Sequence, residues 1–140
     1  MNPLDLAELD AAGLADLPVL SIRQPWAWAI LHAGKDVENR TRRSNYRGRF
    51  LIHAAMGCTF EEWYLAADSI NRHRKAGCEP VPVLSRLLRG GIVGVATQVM
   101  CGNRFDSVWF SGPFGYALTD ARPLPRLYPR KGRLGFFHLR

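Results

Sequence analysis

Proline and glycine cut this sequence into short runs of apolar, β-branched and aromatic residues. From Pro18 onward the runs read PVLSI, RGRFLIHAA, GGIVGVATQVM, SGPFGYALTD, ARPLPRLY and RLGFFHL. Turn-bounded runs of this kind form strands. A further segment, DVENRT, has no helical period and alternates charge, which suits a strand with one polar face. Two stretches carry a helix signal. In QPWAWAILHAG, Pro25 stands at a first helical position and Gly34 at the end. Thr59 and Glu62 have the spacing of a capping box, and Phe60, Trp63, Ala67 and Ile70 recur on one face until Lys75 and Gly77 close the helix. CEPVPV reads as a Pro-broken linker and VLSRLLRG as a short amphipathic helix. The glycines of GGIVGVATQVM predict tight bends or close backbone approach. About six strands with two main helices inserted early make an α+β domain, a small curled sheet or partial β-barrel with flanking helices, over residues 18–140. Residues 1–17 are expected to form an N-terminal extension outside it, a short helix interrupted by Gly13.

The 140 residues suffice for one domain, and at 47% hydrophobic they supply one packed core. No apolar run approaches the roughly 20 residues of a bilayer span. The start MNPLDLAELD lacks the basic segment and long apolar stretch of a signal peptide. A soluble, cytoplasmic protein without a membrane partner is expected. Cys58, Cys78 and Cys101 include no C-x-x-C pair and are odd in number, so neither a disulfide framework nor a zinc knuckle is indicated. His32, His53, His73 and His138 lack ligand spacing, and neither a metal nor a cofactor is expected.

Charge is the first functional clue. Residues 1–34 carry a net charge of −3, residues 35–49 (KDVENRTRRSNYRGR) +4, residues 50–120 none and residues 121–140 +6. Two basic segments around a neutral body form an electrostatic footprint for a polyanion once folding joins them, although a basic surface also serves solubility alone. Arg outnumbers Lys 16 to 3, which favours the polyanion, because a planar guanidinium forks onto phosphate and stacks on bases. Arg42, Arg43, Arg47 and Arg49 lie in the first segment. Arg122, Arg126, Arg130, Lys131 and Arg133 lie in the second. A curled sheet that closes on itself pairs its last strands with early ones, so both sets are expected to border one groove that tracks a nucleic-acid backbone.

The stretches LSIRQPWAWAI, GKDVENRT, SGPFGYAL and PRKGRLGFF together resemble an ASCH domain, a module of the PUA-like superfamily. That family's central motif is G-x-K-x-x-E-x-R, and this chain reads Ala33-Gly34-Lys35-Asp36-Val37-Glu38-Asn39-Arg40. Lys35, Glu38 and Arg40 match, with Ala33 in place of the first glycine. The resemblance covers about residues 18–140. It implies a small β-barrel with flanking helices and a cleft for RNA or another nucleotide-like ligand. Some members are nucleases acting on RNA. One bacterial branch is an amidohydrolase that removes the acetyl group from N4-acetylcytidine, using a Lys with a Thr three positions later. Here Glu38 stands at that offset.

The residues themselves lead to related chemistry. If DVENRT is a strand, Glu38 and Arg40 share a face and Asn39 points away. Lys35 and Arg23 would add cations beyond what one carboxylate neutralises, which suits a phosphate or a developing oxyanion. A plain Glu38–Arg40 or Glu38–Arg23 ion pair is the alternative. Gln24 and Asn39 offer mixed donor and acceptor edges to a base, and Trp26 an indole to stack on it. Trp26 is equally suited to anchor its helix in the core, Trp28 to packing, Trp63 to the core, and Trp109 to either core or cleft. His53, ending its strand, is a ligand contact or a hydrogen-bonded structural residue. Should the protein hydrolyse its ligand, Lys35 and Glu38 are the acid–base pair, with Ser111 and Tyr116 secondary. The leading expectation is a module binding RNA, single-stranded nucleic acid or a nucleotide-like small molecule. The alternatives are a ribonuclease or nucleoside amidohydrolase of the same fold, or an interaction domain meeting an acidic protein.

Overall fold

The computed structural model describes residues 1–140. Six strands, β1 (Val19–Ile22), β2 (Val37–Arg40), β3 (Gly48–Ala54), β4 (Gly91–Gly102), β5 (Phe114–Pro129) and β6 (Phe136–Phe137), form one sheet in the order β2-β5-β4-β3-β1-β6. β1 and β3 are parallel, and every other pair is antiparallel. The sheet curls into a half-barrel with three helices, the α+β architecture expected. Strand alternation sorts its side chains. Leu20, Ile22, Phe50 and Ile52 point inward and pack with Ala27 and Ile30, whereas Val19 and Leu51 point outward. Each such aliphatic side chain, fully buried, contributes about 1.5–3 kcal/mol.

The curl brings β2 back beside β1 without pairing them. A side chain bridges the gap: Arg40 Nη2 donates to the Ser21 carbonyl at 2.7 Å.

The first 17 residues do not lie outside the packed unit. Helix α1 (Pro3–Ala11) is capped by Asn2, whose side chain accepts from Leu4 N at 2.8 Å. Leu9, Leu14 and Ala15 are buried against Val19, Leu51 and Ile92 on the outer face of the sheet. The acids that make the segment look solvated have partners: Arg126 Nη2 meets Asp5 at 2.6 Å and Glu8 at 2.7 Å, and Arg140 pairs with Asp10 and Asp16.

Helix α2 starts at Trp26–Trp28, with Pro25 as its N-cap residue rather than inside the first turn, and continues as a π-helical turn over Ala29–Ala33. It ends where Gly34 takes φ 85°, a left-handed conformation that glycine adopts without strain. Gly94 of β4 makes room for this helix, since a Cβ there would lie 2.5 Å from Leu31 Cδ2. Helix α3 (Phe60–His73) is capped as expected, Thr59 Oγ1 accepting from Glu62 N at 3.1 Å. Ala67 and Ile70 are buried, Trp63 is partly buried with its indole donating to Pro82 O, and Phe60 is exposed.

VLSRLLRG forms only a single 3-10 turn at Leu84–Arg86, because the chain is extended on both sides at Val83 and Leu87. SGPFGYALTD and ARPLPRLY are not two strands but one, β5. β2 covers only Phe114–Ala117 of it, so the remainder has a free edge that tolerates Pro123 and Pro125.

Candidate functional site

A cleft of about 560 Å³ opens at the seam between β1 and β2. Ser21 and Ile22 of β1, Trp26 of α2, Glu38 to Arg40 on β2 with Thr41 just beyond it, and the loop Val108–Pro113 enclose it. The left-handed turn at Gly34 folds Lys35 back under β2. Its ammonium donates to Val37 O and lies 3.3 Å from Glu38 Oε1, with the Trp26 indole at 5.8 Å. Lys35 is only 3% exposed. Burial pulls its pKa below the usual lysine range, and the attraction of Glu38 opposes that shift.

Glu38 and Arg40 share a face, as the strand reading requires. Glu38 Oε2 accepts from Arg40 Nε at 3.1 Å, so each carboxylate oxygen already faces a cation. Arg40, with Nη2 on Ser21 O, keeps Nη1 without a protein partner in a side chain that is 27% exposed. Arg23 reaches the cleft too, but it does not crowd Glu38. It pairs with Glu62 of α3, Nε to Oε2 at 3.1 Å. The site therefore holds three cations against two acids.

Asn39 points away from Glu38 and organises the opposite wall. Its Oδ1 accepts from Ser111 N at 2.9 Å and Gly112 N at 3.1 Å, and its Nδ2 donates to Trp109 O at 2.9 Å. The amide expected to read a base is thus engaged with the loop. Trp109 is buried against Val37, Ala67 and Ile70 and also lines the cleft, so it is both core and wall.

Two expected ligand contacts are elsewhere. Gln24 is buried, its Oε1 accepting from Trp28 N at 2.9 Å and its Nε2 donating to Leu88 O at 2.8 Å, so it fastens α2 to the irregular segment that leads into β4. His53 points to the outer face, where Nε2 donates to Arg130 O at 2.7 Å. Since a carbonyl only accepts, the neutral ring carries its proton on Nε2, and Nδ1 accepts from Ser21 Oγ at 2.8 Å. Burial pulls its pKa below the usual histidine value. Tyr116 is a core residue whose hydroxyl donates to Arg42 O at 2.9 Å. Thr41, Ser69 and Phe110 line the cleft and escaped sequence reasoning. The Gly-Pro turn after VWFS was the one local signal for that wall.

The two basic segments meet, but not along one groove. The Tyr46 and Phe136 rings pack at 5.4 Å, and Tyr116 stacks on Phe136, which joins the loop holding Arg42, Arg43 and Arg47 to the segment holding Lys131 and Arg133. These five side chains are exposed. Arg130 is half-buried, with its guanidinium 5.7 Å from the Phe137 ring centroid. Arg126 is neutralised by α1. Arg49 and Arg122 line a separate concavity that shares no residue with the cleft.

No curated protein matches the chain in sequence. The family model of the ASCH domain matches residues 20–106. That span is well over half of the chain and includes α2, β2, β3, α3, β4 and the Lys35, Glu38 and Arg40 cluster. The matched residues and the curled half-barrel agree, and the chain belongs to the ASCH domain family.

Proposed function

We propose that this ASCH domain binds RNA or a nucleotide-like ligand in the cleft between β1 and β2. The observation that carries the reading is the Lys35, Glu38 and Arg40 cluster, a net positive group held beside the Trp26 indole in a cleft that Trp109 also lines. Glu38 acts as the anchor that aims both cations. The free edge of Arg40, with Arg23 and the hydroxyls of Thr41, Ser69 and Ser111, supplies donors to phosphate or base carbonyl oxygens. An indole that stacks on the base adds about 1–3 kcal/mol. The exposed Arg42 and Arg43 continue from Thr41 and suit the adjoining backbone, as do Lys131 and Arg133. No helix is long and apolar enough to cross a membrane, and a cytoplasmic location is part of this reading.

A second reading, a hydrolase acting on RNA or a modified nucleoside, rests on Lys35. A buried amine with a lowered pKa beside a carboxylate is a proton-transfer pair. One experiment separates the two. The protein and an Arg40→Met variant of verified melting temperature are titrated with a single-stranded uridylate RNA and with uridine monophosphate at about 50 and 200 mM salt, and RNA and acylated nucleosides are assayed for products. The binding reading expects RNA affinity to fall steeply with salt, at least tenfold weaker binding by the variant, about 1.4 kcal/mol, and no products. Turnover lost in Lys35→Met would replace it with the hydrolase. No binding and no products would overturn both.

A further inference from the structure

The outer face of the sheet carries a concavity of about 460 Å³ whose only charged groups are Arg49, Arg122 and Asp120. A β-bulge makes it. Val95 of β4 pairs with Arg122 of β5, and Thr97 with Thr119, so Asp120 and Ala121 together stand opposite the single residue Ala96. Asp120 takes φ 52°, which aspartate tolerates better than most residues. The extra residue bends the strand away from its neighbour and re-aims the side chains around it.

Arg49 approaches the hollow from the other side of β4, directly opposite Thr97. Strands two apart lie about 10 Å from one another, and the long side chains of Arg49 and Arg122 both line the hollow over β4, whose volume admits one phosphate. Val95 and Thr97 line the hollow between them.

Arg49 and Arg122 are among the eleven arginines that meet no carboxylate, and these two share one concavity. Arg23, Arg40, Arg72, Arg126 and Arg140 each meet a carboxylate. Neither Arg49 nor Arg122 does, although Asp120 borders the same hollow. Two exposed, unneutralised guanidinia on a concave floor attract an anion. Arg49 stands on β3 and Arg122 on β5, so the fold rather than the local sequence brings the pair together.

The chain connects this hollow to the cleft. Thr41 lines the cleft and Arg49 the hollow, and Arg42, Arg43 and Arg47 lie exposed between them. Eight peptide units span no more than about 29 Å.

We propose that the Arg49–Arg122 hollow is a second phosphate site, which takes the sugar–phosphate backbone of a single-stranded RNA whose base occupies the cleft. The inference rests on the cleft reading for that base, and RNA is favoured over an acidic protein because the basic loop makes a continuous cationic path from one site to the other.

The probes are uridine monophosphate, which fills the cleft alone, and a uridylate dodecamer, about 41 Å long at about 3.4 Å per nucleotide and so able to reach both sites. The proteins are wild type, Arg49→Ser/Arg122→Ser and Arg49→Lys/Arg122→Lys, each checked by circular dichroism and melting temperature. For the serine pair, dodecamer affinity is expected to fall at least tenfold. Its log–log salt slope should shrink by about 0.7, the contribution of the one phosphate the hollow holds, with monophosphate affinity unchanged. The lysine pair should keep the slope. Unchanged dodecamer affinity and slope in the serine pair would overturn the inference and leave the cleft reading standing, the outcome also expected if the hollow serves an acidic protein. A loss of affinity with no change in slope would overturn it too. If wild type binds the dodecamer through Arg49 and Arg122 but does not bind the monophosphate, the cleft reading falls and the second site remains.

Discussion

Glu38 is the residue on which the site turns, because it neutralises Lys35 in a place where water cannot. Removing one partner of a buried pair costs about 3–5 kcal/mol, most of it from the charge left behind. Glu38→Gln is therefore expected to lower unfolding free energy in urea by about 3 kcal/mol. Glu38→Gln with Lys35→Met should recover most of the loss, because the stranded cation is gone. Additive losses in the double variant would mean that the two groups do not couple. His53 gives a pH signature. Its pKa in the folded protein is below the ordinary 6.5, so as pH falls the unfolded chain takes up the proton first. The stabilisation from His53 is complete above about pH 6.5 and is lost as pH falls below that value. The gradient of stability against pH between 7 and 5, to which one group contributes at most about 1.4 kcal/mol per unit, should be shallower in His53→Gln. Burial lowers the His32 pKa in the same direction, so some gradient should survive. An unchanged gradient would mean that His53 takes up its proton equally in the folded and unfolded states.

At the scale of elements, α1 behaves as part of the core. Leu9 is 1% exposed under the outer face of β1 and β3. Leu9→Ala is expected to cost about 3 kcal/mol, within the range for buried leucines, and urea denaturation measures it directly. A loss below about 0.5 kcal/mol would return residues 1–17 to the status of an appendage. The seam between β1 and β2 is the other element of consequence. The two strands pair with other neighbours, so their gap is spanned by the Arg40 guanidinium on Ser21 O rather than by a backbone ladder. That is why the charged residues of β2 border a cleft instead of being paired away.

For the molecule as a whole, what was legible in the sequence followed the range of the interaction. The strand runs as far as β4, the α3 cap and the shared face of Glu38 and Arg40 depend on neighbours in the chain, and each reads correctly, whereas the prolines of β5 made one strand read as two. The partners of Asn39 and His53, and the Leu88 carbonyl that Gln24 reaches, lie about 30 to 80 residues away, and no local pattern encodes them. Arg126 and Arg140 likewise look like free cations until the fold sets them against acids more than 110 residues earlier. The α1 leucines alternate with acids that imitate a solvated face, and only the fold sets them against the sheet. The central claim is that the β1–β2 seam takes a nucleotide, and nuclear magnetic resonance of the 15N-labelled protein titrated with uridine monophosphate tests it most directly. The expected result is a joint shift of the Trp26 and Trp109 indole resonances and of the Ser111 and Gly112 amides, while the Trp28 and Trp63 indoles, outside the cleft, stay in place. Cleft resonances that do not move at saturating nucleotide, or shifts confined to Trp28 and Trp63, would contradict the account.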